Sequence, residues 1–124
     1  MTLLAALPAC AQDEHPTVEQ TIYRDSLVDT QPEFPGGMDN FYKYFYKTFK
    51  KPAVAGLVDK IVLSFVVEPD GTIGEVQIVH DAGFGTADQA VEIVRQCPKW
   101  IPGSKDGHPV RVLHVVPIAV VTQD

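Results

Sequence analysis

Cysteine is scarce: the 124 residues hold only Cys10 and Cys97, so one disulfide is the most the chain can form. Neither cysteine has a partner at metal-ligand spacing, and no metal site is expected. Long apolar runs are missing as well. None approaches the roughly 20 residues that cross a bilayer, so no transmembrane span is expected. Basic charge is in deficit, with 10 Lys and Arg against 16 Asp and Glu and a formal net charge of -6. That balance argues against a nucleic-acid partner, because phosphate binding needs clustered Lys and Arg. Lys43, Lys47, Lys50 and Lys51 do gather, and the solvated face of a helix accounts for them. Motifs of enzyme chemistry are absent too. No HExxH, GxSxG or phosphate loop occurs, and His15, His80, His108 and His114 are scattered. The expectation is a chain with neither catalytic residues nor a cofactor, in which Cys97 is a small buried apolar residue.

What is present is the composition of one globular domain, 45% hydrophobic and 21% charged. The most legible stretch is 60–81, KIVLSFVVEPDGTIGEVQIVHD. Two β-branched runs, 61–67 and 73–79, flank Pro69-Asp70-Gly71. Proline presets φ for the first corner of a type I turn, and glycine accepts the left-handed position after it, so the stretch predicts an antiparallel hairpin. Ile61, Leu63, Phe65 and Val67 share one face of the first arm, because strand side chains alternate. A lone hairpin is marginal in water and needs a third strand or a covering helix.

The flanking segments supply both. Residues 1–11, MTLLAALPACA, read as the remnant of an export signal. Leu7-Pro8-Ala9-Cys10 resembles a lipobox, with Cys10 as the lipidation site. The alternative is ordinary cleavage at Ala9-Cys10-Ala11. Either way export is expected rather than a cytosolic start, and a lipidated Cys10 would tether the domain to a membrane without spanning it. Residues 12–31 are polar and read as a flexible leader, with a short added strand near 22–28 as the alternative. Pro32-Glu33-Phe34-Pro35-Gly36-Gly37 then punctuates the chain, with Phe34 as a plug. Met38, Phe41, Tyr42, Phe45 and Phe49 form one helical stripe that ends before Pro52. Thr86-Ala87-Asp88-Gln89 reads as a capping box opening a second helix, with Ala87, Ala90, Val91, Val94 and Cys97 as its apolar stripe. Residues 98–107 lead through a polar turn into a last β-branched strand, 110–121. Val110, Val112, Val116, Ile118 and Val120 lie on one side of that strand, with His114 among them, and the polarity of His114 reads as a residue facing solvent or a partner. Pro117 cannot donate a ladder hydrogen bond, which puts the strand at a sheet edge or turns that amide outward. The expected fold is α+β, with the order helix, hairpin, helix, strand and both helices on one face of a three-stranded antiparallel sheet.

These pieces together resemble a known family. Pro32 to Met38 (PEFPGGM), Phe65-Val66-Val67 running into Asp70-Gly71, Val76, Pro98-Lys99-Trp100 with Pro102-Gly103, and Pro109-Val110-Arg111-Val112 leading to Pro117-Ile118 are similar to the C-terminal domain of TonB, in its Bacteroidetes form. The resemblance takes in the domain 32–122. It implies a non-catalytic energy-transducer module that binds TonB-dependent outer-membrane transporters by adding their TonB-box strand to its own sheet. It also implies that the receiving strand is the last one. The partner-binding candidates are Val110, then Val112, His114, Val116 and Ile118 on one face and Arg111, Leu113 and Val115 on the other. Trp100 reads as an aromatic pinning the second helix, with a contact to the transporter peptide as its other reading. The competing functional reading is a self-associating accessory domain, a homodimer through the same edge. Two departures from the family pattern stand out: Lys51-Pro52 occupies the usual Tyr-Pro position, and Asp59 stands near a customary glycine.

Overall fold

In the computed structural model, which describes residues 21–123, the elements run β1 (Ile22–Arg24), a 3-10 turn (Asp25–Leu27), α1 (Met38–Thr48), β2 (Val58–Val67), β3 (Ile73–His80), α2 (Thr86–Arg95), β4 (Ser104–Lys105), β5 (His108–Pro109) and β6 (Arg111–Val121). The predicted export signal and Cys10 lie outside the described residues.

The hairpin closes where its chemistry predicts. Gly71 N–H donates to Glu68 O at 2.8 Å and Glu68 N–H to Thr72 O at 2.8 Å, while the Asp70 carboxylate accepts from the Thr72 amide and hydroxyl. Ile61, Leu63, Phe65 and Val67 are fully buried, as their alternation requires. Phe41 and Phe45 on α1, and Phe49 just past its end, drive into the same core. Phe34 seals it, meeting Phe41 and Trp100 edge-to-face with centroids 5.5 Å away in each case. Trp100 sits at the centre of this aromatic group and is 2% exposed.

Two helices and an α+β layering are as expected, but the sheet differs. It has four strands in the order β1-β6-β2-β3, with β4 and β5 forming a separate two-stranded ribbon. β6 runs antiparallel to β2 along its whole length, and β3 flanks β2 on the other side. The correction is β1, which joins the outer side of β6 in parallel, pairing Ile22, Tyr23 and Arg24 with Arg111, Val112 and Leu113. Three residues are too few to show a period of two, so the strand left little trace in the sequence. Part of the segment expected as a flexible leader is thus a sheet strand, as the alternative of a short added strand near 22–28 had it. Beyond it, Thr30 N–H and Asp29 N–H both donate to Ser104 O.

The capping box at Thr86 is also corrected. Gly85 is the N-cap, and the Thr86 hydroxyl donates back to Gly83 O at 2.6 Å. Gln89 turns instead to the end of α1, accepting from Lys50 N–H at 2.6 Å and donating to Lys50 O at 3.1 Å. That exchange fastens the two helices together.

Candidate functional site

Strand β6 alternates cleanly. Val112, Val116, Ile118 and Val120 are buried under the helices, while Leu113, Val115, Pro117, Ala119 and Val121 face outward. Its backbone alternates as well. Thr122 N–H donates to Leu57 O at 2.9 Å, which fixes the phase of the β2–β6 ladder. Even-numbered residues of β6 therefore bond to β2, and odd-numbered ones present N–H and C=O to the other side. Pro117, opposite Val62, falls on an outward position, where its missing N–H costs the sheet nothing.

That outward side is divided into three parts. At the N-terminal end, β1 occupies Arg111, Val112 and Leu113. Val110 lies before the strand, and its N–H donates to Gly103 O. In the middle, the Val115 N–H and C=O take no hydrogen bond within the described residues. Toward the C-terminus the carbonyls of Pro117 and Ala119 accept from the hydroxyls of Tyr42, at 2.8 Å, and Tyr46, at 2.5 Å. Among the described residues the amide of Ala119 and both groups of Val121 carry no such cap. Beside them lies a hollow of about 360 Å³ lined by Tyr46, Phe49, Lys51, Ala119 and Val121.

The predicted contact residues are therefore redistributed. Val112, Val116 and Ile118 belong to the core by their side chains, and only their strand's edge is available. Arg111 is held in a fork by Glu68, Nε to Oε1 at 2.8 Å and Nη2 to Oε2 at 3.1 Å. The expectation that His114 faces solvent or a partner is corrected. Its side chain is 13% exposed and packs against Phe65 and Trp100, with centroids at 5.8 and 5.5 Å. Burial pushes its pKa down, outweighing the pull of the Asp25 carboxylate 3.8 Å away, and its buried Nδ1 has no hydrogen-bond partner among the described residues. Leu113 and Val115 stay at the surface. Trp100 is core, its indole N–H directed at the Cys97 sulfur at 3.2 Å. Tyr46 was missed in the sequence, where it lies just off the apolar stripe. Its spacing of four from Tyr42 was the available signal, since i and i+4 share a helix face.

No cluster of His, Cys, Asp and Glu suited to a metal exists among the described residues. Nor is any described helix long and apolar enough to cross a membrane. His80 pairs with Asp59 at 3.0 Å, tying the end of β3 to the start of β2.

A partly open strand edge of this kind, on a two-helix α+β domain, presents main-chain groups with which another chain's backbone can pair. The model of the family described as Gram-negative bacterial TonB protein C-terminal matches residues 51–119, more than half of the chain, and the chain belongs to that family. Domains of this family serve energy-coupled transport in the periplasm of Gram-negative bacteria and generally contact TonB-dependent outer-membrane receptors. Comparison with curated proteins and with solved structures returned no match.

Proposed function

We propose that this chain is a non-catalytic periplasmic module that binds TonB-dependent outer-membrane transporters by accepting their TonB-box segment as an added strand on β6. The observation that carries the reading is the outer side of β6 over 115–121, which no other strand among the described residues covers. Main-chain groups along such an edge supply affinity, and side chains flanking it supply selectivity. The docking stretch is shorter than the whole strand. It begins after Leu113, where β1 ends, so Val115, Ala119 and Val121 are the residues whose amides receive the partner.

Titrating ¹⁵N-labelled protein with synthetic TonB-box peptides tests this. Amide shifts centred on Val115, Ala119 and Val121, with α2 unmoved, are the expected result. No shift there at millimolar peptide refutes strand addition. A concentration-dependent homodimer whose contact is the same edge, and which excludes peptide, would replace transporter binding with self-association.

A further inference from the structure

The two tyrosines on the docking edge do more than decorate it. Tyr42 and Tyr46 stand one turn apart on α1, their rings stacked at 24° with centroids 6.3 Å apart. Both hydroxyls end on outward carbonyls of β6, at Pro117 and Ala119. These are acceptors that a neighbouring strand would otherwise satisfy. A hydroxyl suits Pro117 fully, because that residue offers the edge an acceptor and no donor. An added strand must bring N–H groups to both carbonyls, and each amide displaces one phenol.

The rings are placed to yield. The core stripe of α1 is Phe41 and Phe45, with Phe49 just past its end, all buried, while Tyr42 is half-buried and Tyr46 is 39% exposed. Turning them outward removes no core side chain. The space beside Tyr46 is the hollow over Phe49, which is large enough for one apolar side chain. Among the described residues Lys51 lines it and no carboxylate does, so a cationic neighbour is disfavoured there and an acidic one favoured. Residues 38–48 lie before the stretch matched by the family model, so that match does not speak for either tyrosine.

We infer that Tyr42 and Tyr46 are specificity-determining residues of the β6 edge. They cap the Pro117 and Ala119 carbonyls in the free protein and surrender them to the amides of an added strand. They admit the register that seats an apolar side chain of that strand in the hollow beside Lys51. The partner is an extended peptide segment with an apolar residue at that seat and no Lys or Arg beside it. This rests on strand addition at β6, and the test separates the two.

The experiment compares TonB-box peptide affinity, read from amide shifts, in the wild type, Y42F, Y46F and the double variant. Each Phe keeps the ring and removes a hydroxyl that competes for the edge. A side-chain to backbone hydrogen bond is worth on the order of 0.5–1.5 kcal/mol net, so each variant binds roughly two- to tenfold tighter. Replacing the seated apolar residue of the peptide by Lys abolishes the shift at Val121. Thermal melts accompany each titration, because a merely structural pair of hydroxyls lowers the melting temperature and leaves affinity alone. Unchanged or weaker binding in Y42F and Y46F, with the shifts at Val115, Ala119 and Val121 retained, overturns the cap and leaves strand addition standing. Loss of those shifts in every protein, wild type included, overturns both.

Discussion

Replacing Gly71 by alanine tests the hairpin and the core at one stroke. Gly71 sits at φ +87°, a left-handed conformation that costs an L-residue about 1–2 kcal/mol. Its missing side chain also makes room for Trp100. A Cβ there lies 2.2 Å from Trp100 O, and the contact is backbone, so it cannot be relieved by a rotamer change. Moving apart breaks the hydrogen bond from Trp100 N–H to Gly71 O, now 2.8 Å, for roughly another 0.5–1.5 kcal/mol. The sum is about 1.5–3.5 kcal/mol, or a fall in melting temperature of roughly 6–28 °C for a domain of this size. Gly107 supplies the control. Its φ is +81°, yet nothing lies within 4 Å of a built Cβ, so G107A carries only the backbone cost. Urea unfolding followed by fluorescence of Trp100, the one tryptophan, measures both variants. If G71A is destabilised no more than G107A, the close approach of turn and tryptophan contributes nothing and the account of the core is wrong.

Two further outcomes follow from the core. Burial holds the folded-state pKa of His114 below the usual value of about 6.5, so the unfolded chain binds the proton first. Its contribution to stability is complete above that value and is lost as pH falls from it toward the folded pKa, by at most about 1.4 kcal/mol per unit. H114F should flatten that decline in urea melts run from pH 7 to 5, and an unchanged slope would assign the acid sensitivity elsewhere. Burial likewise raises the pKa of the Cys97 thiol, against the smaller opposing effect of the Trp100 indole N–H. Mass mapping after iodoacetamide should find Cys97 alkylated roughly tenfold or more slowly in the folded protein than in urea. Equal rates would place the thiol in an open, reactive setting.

What was legible in the sequence was local periodicity, and what was not was contact at a distance. The α1 stripe and the β2–β3 turn each declare themselves within about a dozen residues, because an apolar face and a Pro-Asp-Gly corner are local demands. Pro117 likewise marked the outward side of β6. Gln89 misled because the capping box is also a local pattern, whereas its amide is claimed by Lys50, 39 residues away. His114 sat on the core-facing side by alternation, yet its polarity suggested solvent. Only the fold brings Phe65 and Trp100 against it. Of the candidate site, the strand was legible and its occupancy was not. The caps from α1 span 75 and 73 residues of sequence, and β1 is too short to announce a partner.

The parallel seating of β1 carries a mechanical consequence. Its three paired residues lie along the same strand whose far half is open to a partner. A pull entering at Thr21 and opposed by a chain gripping 115–121 would travel lengthwise down β6. It would load the β1 rungs in shear and bypass the aromatic interior. The pull and the grip would then share one backbone, with the helices as ballast rather than as links.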